Sequence, residues 1–347
     1  MASSLRDGRI EGVNVTEVVN SFSSESIFKN CASVERDKAE RPIAGLEFGA
    51  WVVCGVSTSF AGYSLWNFRI AVDLNSLLAA LGVLIFLIGV HAIYGRWRRV
   101  PTLRNLSGAL AVIYWSAAMG GIISLVGLRQ QWPLIDVTLA NLDHVSGLNV
   151  TGFVEWTAAH PWWSHLLGVA YDSSFVQLFA LAILLAVRSH TEKLWHLALV
   201  FAITMTACTS ISVFWPAKGA FAYYNHSKDV LSHLPDGAGI YHLTKFEYFR
   251  HDPSPVLSFA SLQGVVTFPS FHTCLALMTI FAAWGMRWLF VAALIWNGLV
   301  IISTLPIGGH YAIDLLCGAL LWLAATATAK LAVGQRRWQS APSLAPA

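Results

Sequence analysis

The chain has 347 residues, 56% of them hydrophobic and only 12% charged, with a mean hydropathy of +0.57 and a formal charge of +3 at pH 7. That charged fraction is about half of what a soluble globular domain carries, which excludes an aqueous fold and makes a bilayer the expected solvent. The positive charge is too small and too divided between loops for a nucleic-acid partner.

Residues 1–42 are polar and mixed in charge, lack an apolar signal-peptide core, and read as a cytoplasmic tail, so the first span is expected to act as the signal. Apolar runs at 43–64, 71–94, 105–128, 172–188, 194–214, 270–286, 288–305 and 310–333 predict eight transmembrane helices, an all-α polytopic membrane bundle. The fourth run is short and carries Asp172; a re-entrant segment there would invert everything that follows. Sixteen of the 22 Lys and Arg residues fall on the side of the termini. By the positive-inside rule both termini are then cytoplasmic, and the loops 129–171, 215–269 and 306–309 are extracellular, periplasmic or lumenal.

Two of those loops are longer than connectors need to be. Segment 129–171 contains Trp132, Trp156, Trp162 and Trp163 with Pro133 and Pro161, a composition for short helices at the membrane interface, and it holds the sequon Asn149-Val150-Thr151. Segment 215–269 is polar, and its His226, His233, His242 and His251 read as surface residues, with no metal expected. Asp143 and Asp172 read as helix caps or as positioning groups near the interface. The cysteines show no C-x-x-C spacing, and most sit in or beside apolar segments as inert thiols. The segment after residue 333 is a second cytoplasmic tail.

Chemistry concentrates at two helix starts. In Gly308-Gly309-His310-Tyr311-Ala312-Ile313-Asp314, the histidine and the aspartate are one helical turn apart and share a face. A hydrogen bond from the imidazole to the carboxylate would fix the tautomer and leave the opposite ring nitrogen as a nucleophile. In Phe268-Pro269-Ser270-Phe271-His272-Thr273, Pro269 suits the first helical turn, Ser270 and free backbone N–H groups offer an anion site, and His272 is placed to protonate a leaving alkoxide. Both starts fall at one membrane face, and Ser303 and Thr304 add hydroxyls between them.

Pro-Ser-Phe-His at 269–272, together with Ser303, His310 and Asp314 in their spacing, resembles the second and third signature motifs of the type 2 phosphatidic acid phosphatase superfamily. The wording is most similar to the branch that includes inositol phosphorylceramide synthases. The resemblance is strong over 264–320 and looser over 105–263. It implies a six-helix catalytic core over 105–333 with two extra transmembrane helices over 43–104. It also implies a phosphohistidine at His310, Asp314 as orienter, His272 as acid and then base, and no cofactor. The substrate would be a lipid phosphate in the bilayer, cleaved by water or transferred to a hydroxyl acceptor such as inositol or another lipid. Two features depart from the pattern. Thr304 stands where many members have arginine, and the first motif is absent. Phosphate binding is therefore expected from Ser270, Ser303 and Thr304, with Lys218 and then Arg250 supplying charge. A membrane transporter, or a non-catalytic membrane protein, is the alternative; its ionisable residues would be expected at the midplane, not at one face.

Overall fold

With no water in the bilayer to satisfy backbone N–H and C=O groups, an apolar chain closes its hydrogen bonds within helices. The computed structural model describes residues 24–332 and two short antiparallel strands, β1 (Arg9–Ile10) and β2 (Val13–Asn14). The expected tail 334–347 and the first part of the expected tail 1–42 lie outside the described residues.

Eight apolar helices form the bundle: α1 (Ser24–Asn67), α2 (Leu74–Arg96), α3 (Pro101–Gly127), α6 (Pro161–Val187), α7 (Thr191–Phe214), α11 (Phe271–Ala282), α12 (Arg287–Ser303) and α13 (Ala312–Ala332). Six of them are long and apolar enough to cross a membrane, and α11 and α12 are shorter. Between them lie α4 (Asp136–Val145), α5 (Val150–Ala158), α8 (Ala220–Tyr224), α9 (Lys228–Ser232) and α10 (Leu243–His251). The chain is thus an all-α polytopic bundle.

Three boundaries differ from the sequence reading. The first helix starts at Ser24, well before residue 43, and carries Pro42 in its interior. The fourth span starts at Pro161 instead of 172, because proline at the first helical position forfeits no hydrogen bond. Trp162 and Trp163 thereby join a 27-residue helix that is long and apolar enough to cross a membrane. In contrast, α11 has only 12 residues, about 18 Å of helix, and stops ahead of Gly285 at φ +84°. Segment 136–158 does form two short helices as expected, with the Asn149 side chain of the sequon capping α5 through the N–H of Gly152.

α7 packs against α3, α1, α11 and α13, while α11 packs against α12, α13 and α6. Trp195 and Phe201 of α7 are fully buried at the centre of the largest core. A separate cluster gathers residues of α4, α5, α6 and α8 around Tyr311, next to His310.

The first two helices are fastened at both ends. Strand β3 (Ala71–Val72) pairs in parallel with β4 (Val256–Leu257), which ties the α1–α2 turn to the 215–269 loop. At the other end, Arg104 Nη2 donates to both Glu47 oxygens at 2.7 and 2.8 Å. His91 reaches Glu47 through Nε2 at 3.3 Å and donates from Nδ1 to the Arg104 carbonyl at 2.8 Å. Asn105 accepts from Arg104 and from Trp195, so this half-buried network joins four helices.

Candidate active site

Helices α11 and α13 both begin at the end of the bundle occupied by the 129–160 and 215–269 segments. They approach closely because Gly318 has no side chain: a Cβ there would lie 2.4 Å from the Ser270 carbonyl oxygen. The Ser270 N–H donates to the Asp314 carbonyl at 3.1 Å, and the Cys274 thiol donates to the Gly318 carbonyl at 3.1 Å. Cys208 donates likewise to the Pro269 carbonyl, so these thiols serve as buried packing groups.

His310 Nδ1 lies 3.2 Å from Asp314 Oδ2, which also accepts the Tyr311 N–H at 2.9 Å. With Nδ1 directed to a carboxylate, the tautomer places the free lone pair on Nε2. That nitrogen faces Ser270 Oγ at 3.5 Å, at the outer edge of a hydrogen bond. Both partners are buried: His310 is 3% exposed and Asp314 0%. Ser270 is the N-cap of α11 and accepts from the Thr273 N–H. The helix therefore starts at Phe271, two residues later than a first-turn Pro269 requires, and Pro269 precedes the cap after a cis peptide bond.

His272 occupies the second helical position of α11, where its ring stacks on Tyr171 at a centroid distance of 4.1 Å and meets the edge of Phe175. Tyr171 Cε2 and His310 Cδ2 both lie about 3 Å from where a Gly308 Cβ would stand. Gly308 is thus the gap through which the two histidine motifs meet, and the structure brings His272, Ser270, His310 and Asp314 together.

The other expected phosphate ligands are placed less directly. Ser303 and Thr304 are fully buried beside the motif, but each hydroxyl proton goes to a carbonyl of its own helix at 2.7 Å, Val300 and Ile301 respectively. What they keep are acceptor lone pairs. The Lys218 backbone adjoins the site, while its ammonium pairs with Glu247 at 2.5 Å. Arg250 is buried, donates to the Trp132 carbonyl at 2.8 Å and lies over the Phe246 ring. The structure does not bring these two cationic groups to His310.

Two carboxylates outside the histidine motifs hold the site in place. Asp143 on α4 accepts the Ala312 and Ile313 N–H groups at 2.8 and 2.9 Å, capping α13 from a distant part of the chain. Asp136 accepts the Lys218 and Gly219 N–H groups and the Tyr311 hydroxyl. Their signal in the sequence was faint: Asp143 was legible as a cap, but not the helix it caps. His242 departs from the surface reading of the loop histidines. It is 2% exposed, donates from Nε2 to the Lys218 carbonyl at 2.8 Å, and burial pushes its pKa down. Gly219, Gly239 and Gly309, all at positive φ, let three loops touch backbone to backbone here; the Gly309 carbonyl accepts the Ala220 N–H, and the Ile307 carbonyl accepts the Gly239 N–H. Among the described residues no three His, Cys, Asp or Glu side chains converge as metal ligands.

A match to the PAP2 superfamily covers residues 137–328, more than half of the chain. No curated protein and no solved structure matches it. The matched segment begins within α4, takes in Asp143 as well as both histidine motifs, and ends within α13. Phosphatase-type chemistry on phosphoric esters accompanies that membership in general terms. Carrying these motifs on a bundle of membrane-crossing helices, the chain belongs to the PAP2 superfamily and is an integral membrane protein.

Proposed function

We propose that the protein cleaves or transfers the phosphoryl group of a lipid phosphate through a phosphohistidine at His310, on the non-cytoplasmic face. The observation that carries this reading is His310 held through Nδ1 by buried Asp314, with Nε2 turned toward the N-terminus of α11.

Nε2 attacks phosphorus, the P–O bond to the lipid alcohol breaks, and His272 gives its proton to the departing oxygen. The Asp314 carboxylate stabilises the imidazolium character that develops on His310. In the second half, a hydroxyl gives its proton to His272, its oxygen bonds to phosphorus, and the P–Nε2 bond breaks. Water as that hydroxyl makes the protein a phosphatase; inositol or a lipid alcohol makes it a transferase, as in the synthase branch its motifs resemble. Phosphate oxygens are received by Ser270 and the first-turn N–H groups of Phe271 and His272, which have no acceptor within the helix. Ser303 and Thr304 support that pocket. Lys218 is the mobile counter-charge, able to exchange Glu247 for phosphate, and Arg250 acts from further off.

The test supplies purified protein with radiolabelled lipid phosphates and follows product release for wild type, His310→Ala, Asp314→Asn and His272→Ala. Acid-labile label on histidine should be trapped during turnover and be lost in His310→Ala. Undiminished turnover in His310→Ala ends the proposal. Added inositol or diacylglycerol then decides between hydrolysis and transfer.

A further inference from the structure

A cavity of about 660 Å³ opens beside His272, within the range of roughly 300–1,000 Å³ that holds lipid-sized or drug-sized ligands and far larger than a water requires. Its inner walls come from α3, α6 and α7, where Ala117, Gly120, Gly121 and Phe179 leave an apolar recess. Its polar lining comprises Tyr171, Asp172, Asp236, Tyr241 and His272, with Gln263 in the stretch that packs on α3 beside Gly121. Among the described residues no lysine or arginine lines the cavity.

That polar lining offers acceptors in excess of donors. Asp172 and Asp236 have no hydrogen-bond or ion-pair partner among the described residues, whereas the tyrosine hydroxyls bond each other at 2.8 Å. Asp172 sits about 16 Å along α6, Asp236 follows Pro235 in the 215–269 segment, and both side chains are exposed where they line the cavity, open to the head of a bound molecule. In a phosphoryl transfer the leaving and attacking oxygens stand next to the acid-base group. The cavity that reaches His272 is therefore the place for the alcohol side of the ester.

We propose that this cavity binds an amphiphilic alcohol whose head carries N–H or O–H donors and no negative charge, selected by Asp172 and Asp236. An apolar tail fills the recess between α3, α6 and α7. The head's donors are met by the two carboxylates and the Gln263 amide, which turn away a second anion. The role of this alcohol as leaving group or acceptor rests on the phosphoryl-transfer reading; its binding does not.

The experiment presents the full chain in detergent with three amphiphiles of equal chain length, ending in a glycerol ether, an aminoethanol and a carboxylate. Bound species are counted by native mass spectrometry, which needs no turnover. At least one of the donor-bearing heads should bind more tightly than the carboxylate, and which one does tells hydroxyl donors from ammonium. The Asp172→Asn, Asp236→Asn double variant should weaken the favoured head about tenfold or more and narrow the preference. Gln263→Leu, a loop change, supplies a second variant should the double one fold poorly, and should weaken the same head. A carboxylate amphiphile binding as tightly as both others, or a preference unchanged in the variants, overturns the proposal. His310→Ala should lose turnover and keep binding, so failure of the catalytic reading is seen separately.

Discussion

Replacing Asp143 by asparagine keeps the shape of the side chain and removes its charge and one of the two oxygens that cap α13. The carboxylate is 2% exposed and accepts the Ala312 and Ile313 N–H groups at 2.8 and 2.9 Å. In the variant an amide NH₂ must face one of those donors, so a charge-assisted bond worth about 1.5–3 kcal/mol is lost. His310 and Tyr311 immediately precede the capped residues, so the loss falls on the alignment of the proposed nucleophile. At about 1.4 kcal/mol per decade, kcat should fall roughly 10- to 100-fold with KM little changed. Asp73 is the control, because it caps α2 through the Asn75 and Ser76 N–H groups, remote from His310. Asp73→Asn should leave kcat within about twofold. Steady-state turnover of a labelled lipid phosphate, with thermal unfolding in parallel, checks both. The reasoning is refuted if Asp143→Asn turns over at the wild-type rate, or if Asp73→Asn loses as much.

Gly318→Ala places a methyl 2.4 Å from the Ser270 carbonyl, so α11 and α13 must separate; a stability loss of about 1–3 kcal/mol is expected by thermal unfolding. Gly298→Ala, with nothing within 4 Å, should cost nothing measurable. Lys218→Met should raise KM for lipid phosphate with kcat nearly unchanged, whereas Arg250→Met should lower the melting temperature more than it alters KM; the reverse pattern would exchange their roles. Burial holds the His242 pKa below its ordinary value of about 6.5, outweighing its bond to the Lys218 carbonyl. The unfolded chain then binds a proton that the folded one refuses, so this contribution to stability is present above about pH 6.5 and is lost as pH falls toward the folded pKa. Melting temperature followed downward from pH 7.5 should decline, and His242→Gln should flatten that slope.

The eight apolar helices were legible because each is a long run bounded by charge, and helix is the structure that a bilayer permits such a run. The start of α6 was not, since Trp162, Trp163 and His165 dilute the apolar signal over the turns that Pro161 begins. The short length of α11 was hidden for the opposite reason: the apolar run continues through Ala282 and Ala283 while the backbone turns at Gly285. At the site, the pairing of His310 with Asp314 is local, four residues apart, and spacing alone announces it. The supports are not local. Asp143 meets Ala312 across 169 residues and Asp136 meets Tyr311 across 175, and no single-sequence pattern encodes such pairs. His242 looked like a loop histidine because the close-packed loops that bury it depend on glycines at positive φ, whose partners are set only by the fold.

Under the phosphoryl transfer proposed above, those supports bear on where the phosphate binds. Two helix N-termini point into the site, and each would attract an anion. At α13 the protein has already filled that role, because Asp143 takes the Ala312 and Ile313 N–H groups and Asp314 takes that of Tyr311. At α11 the Thr273 N–H is occupied by the neutral Ser270 hydroxyl, while the N–H groups of Phe271 and His272 have no acceptor among the described residues. An entering dianion therefore meets carboxylates at one helix and unspent amides at the other, and His310 Nε2 faces the second. The charge on Asp136, Asp143 and Asp314 is met by backbone, hydroxyl and imidazole donors, with no lysine or arginine side chain against them among the described residues. In such a site, backbone amides at α11 can stand in for the charge that an arginine at position 304 would bring, and the fully buried Thr304 leaves no room in which a guanidinium could be solvated.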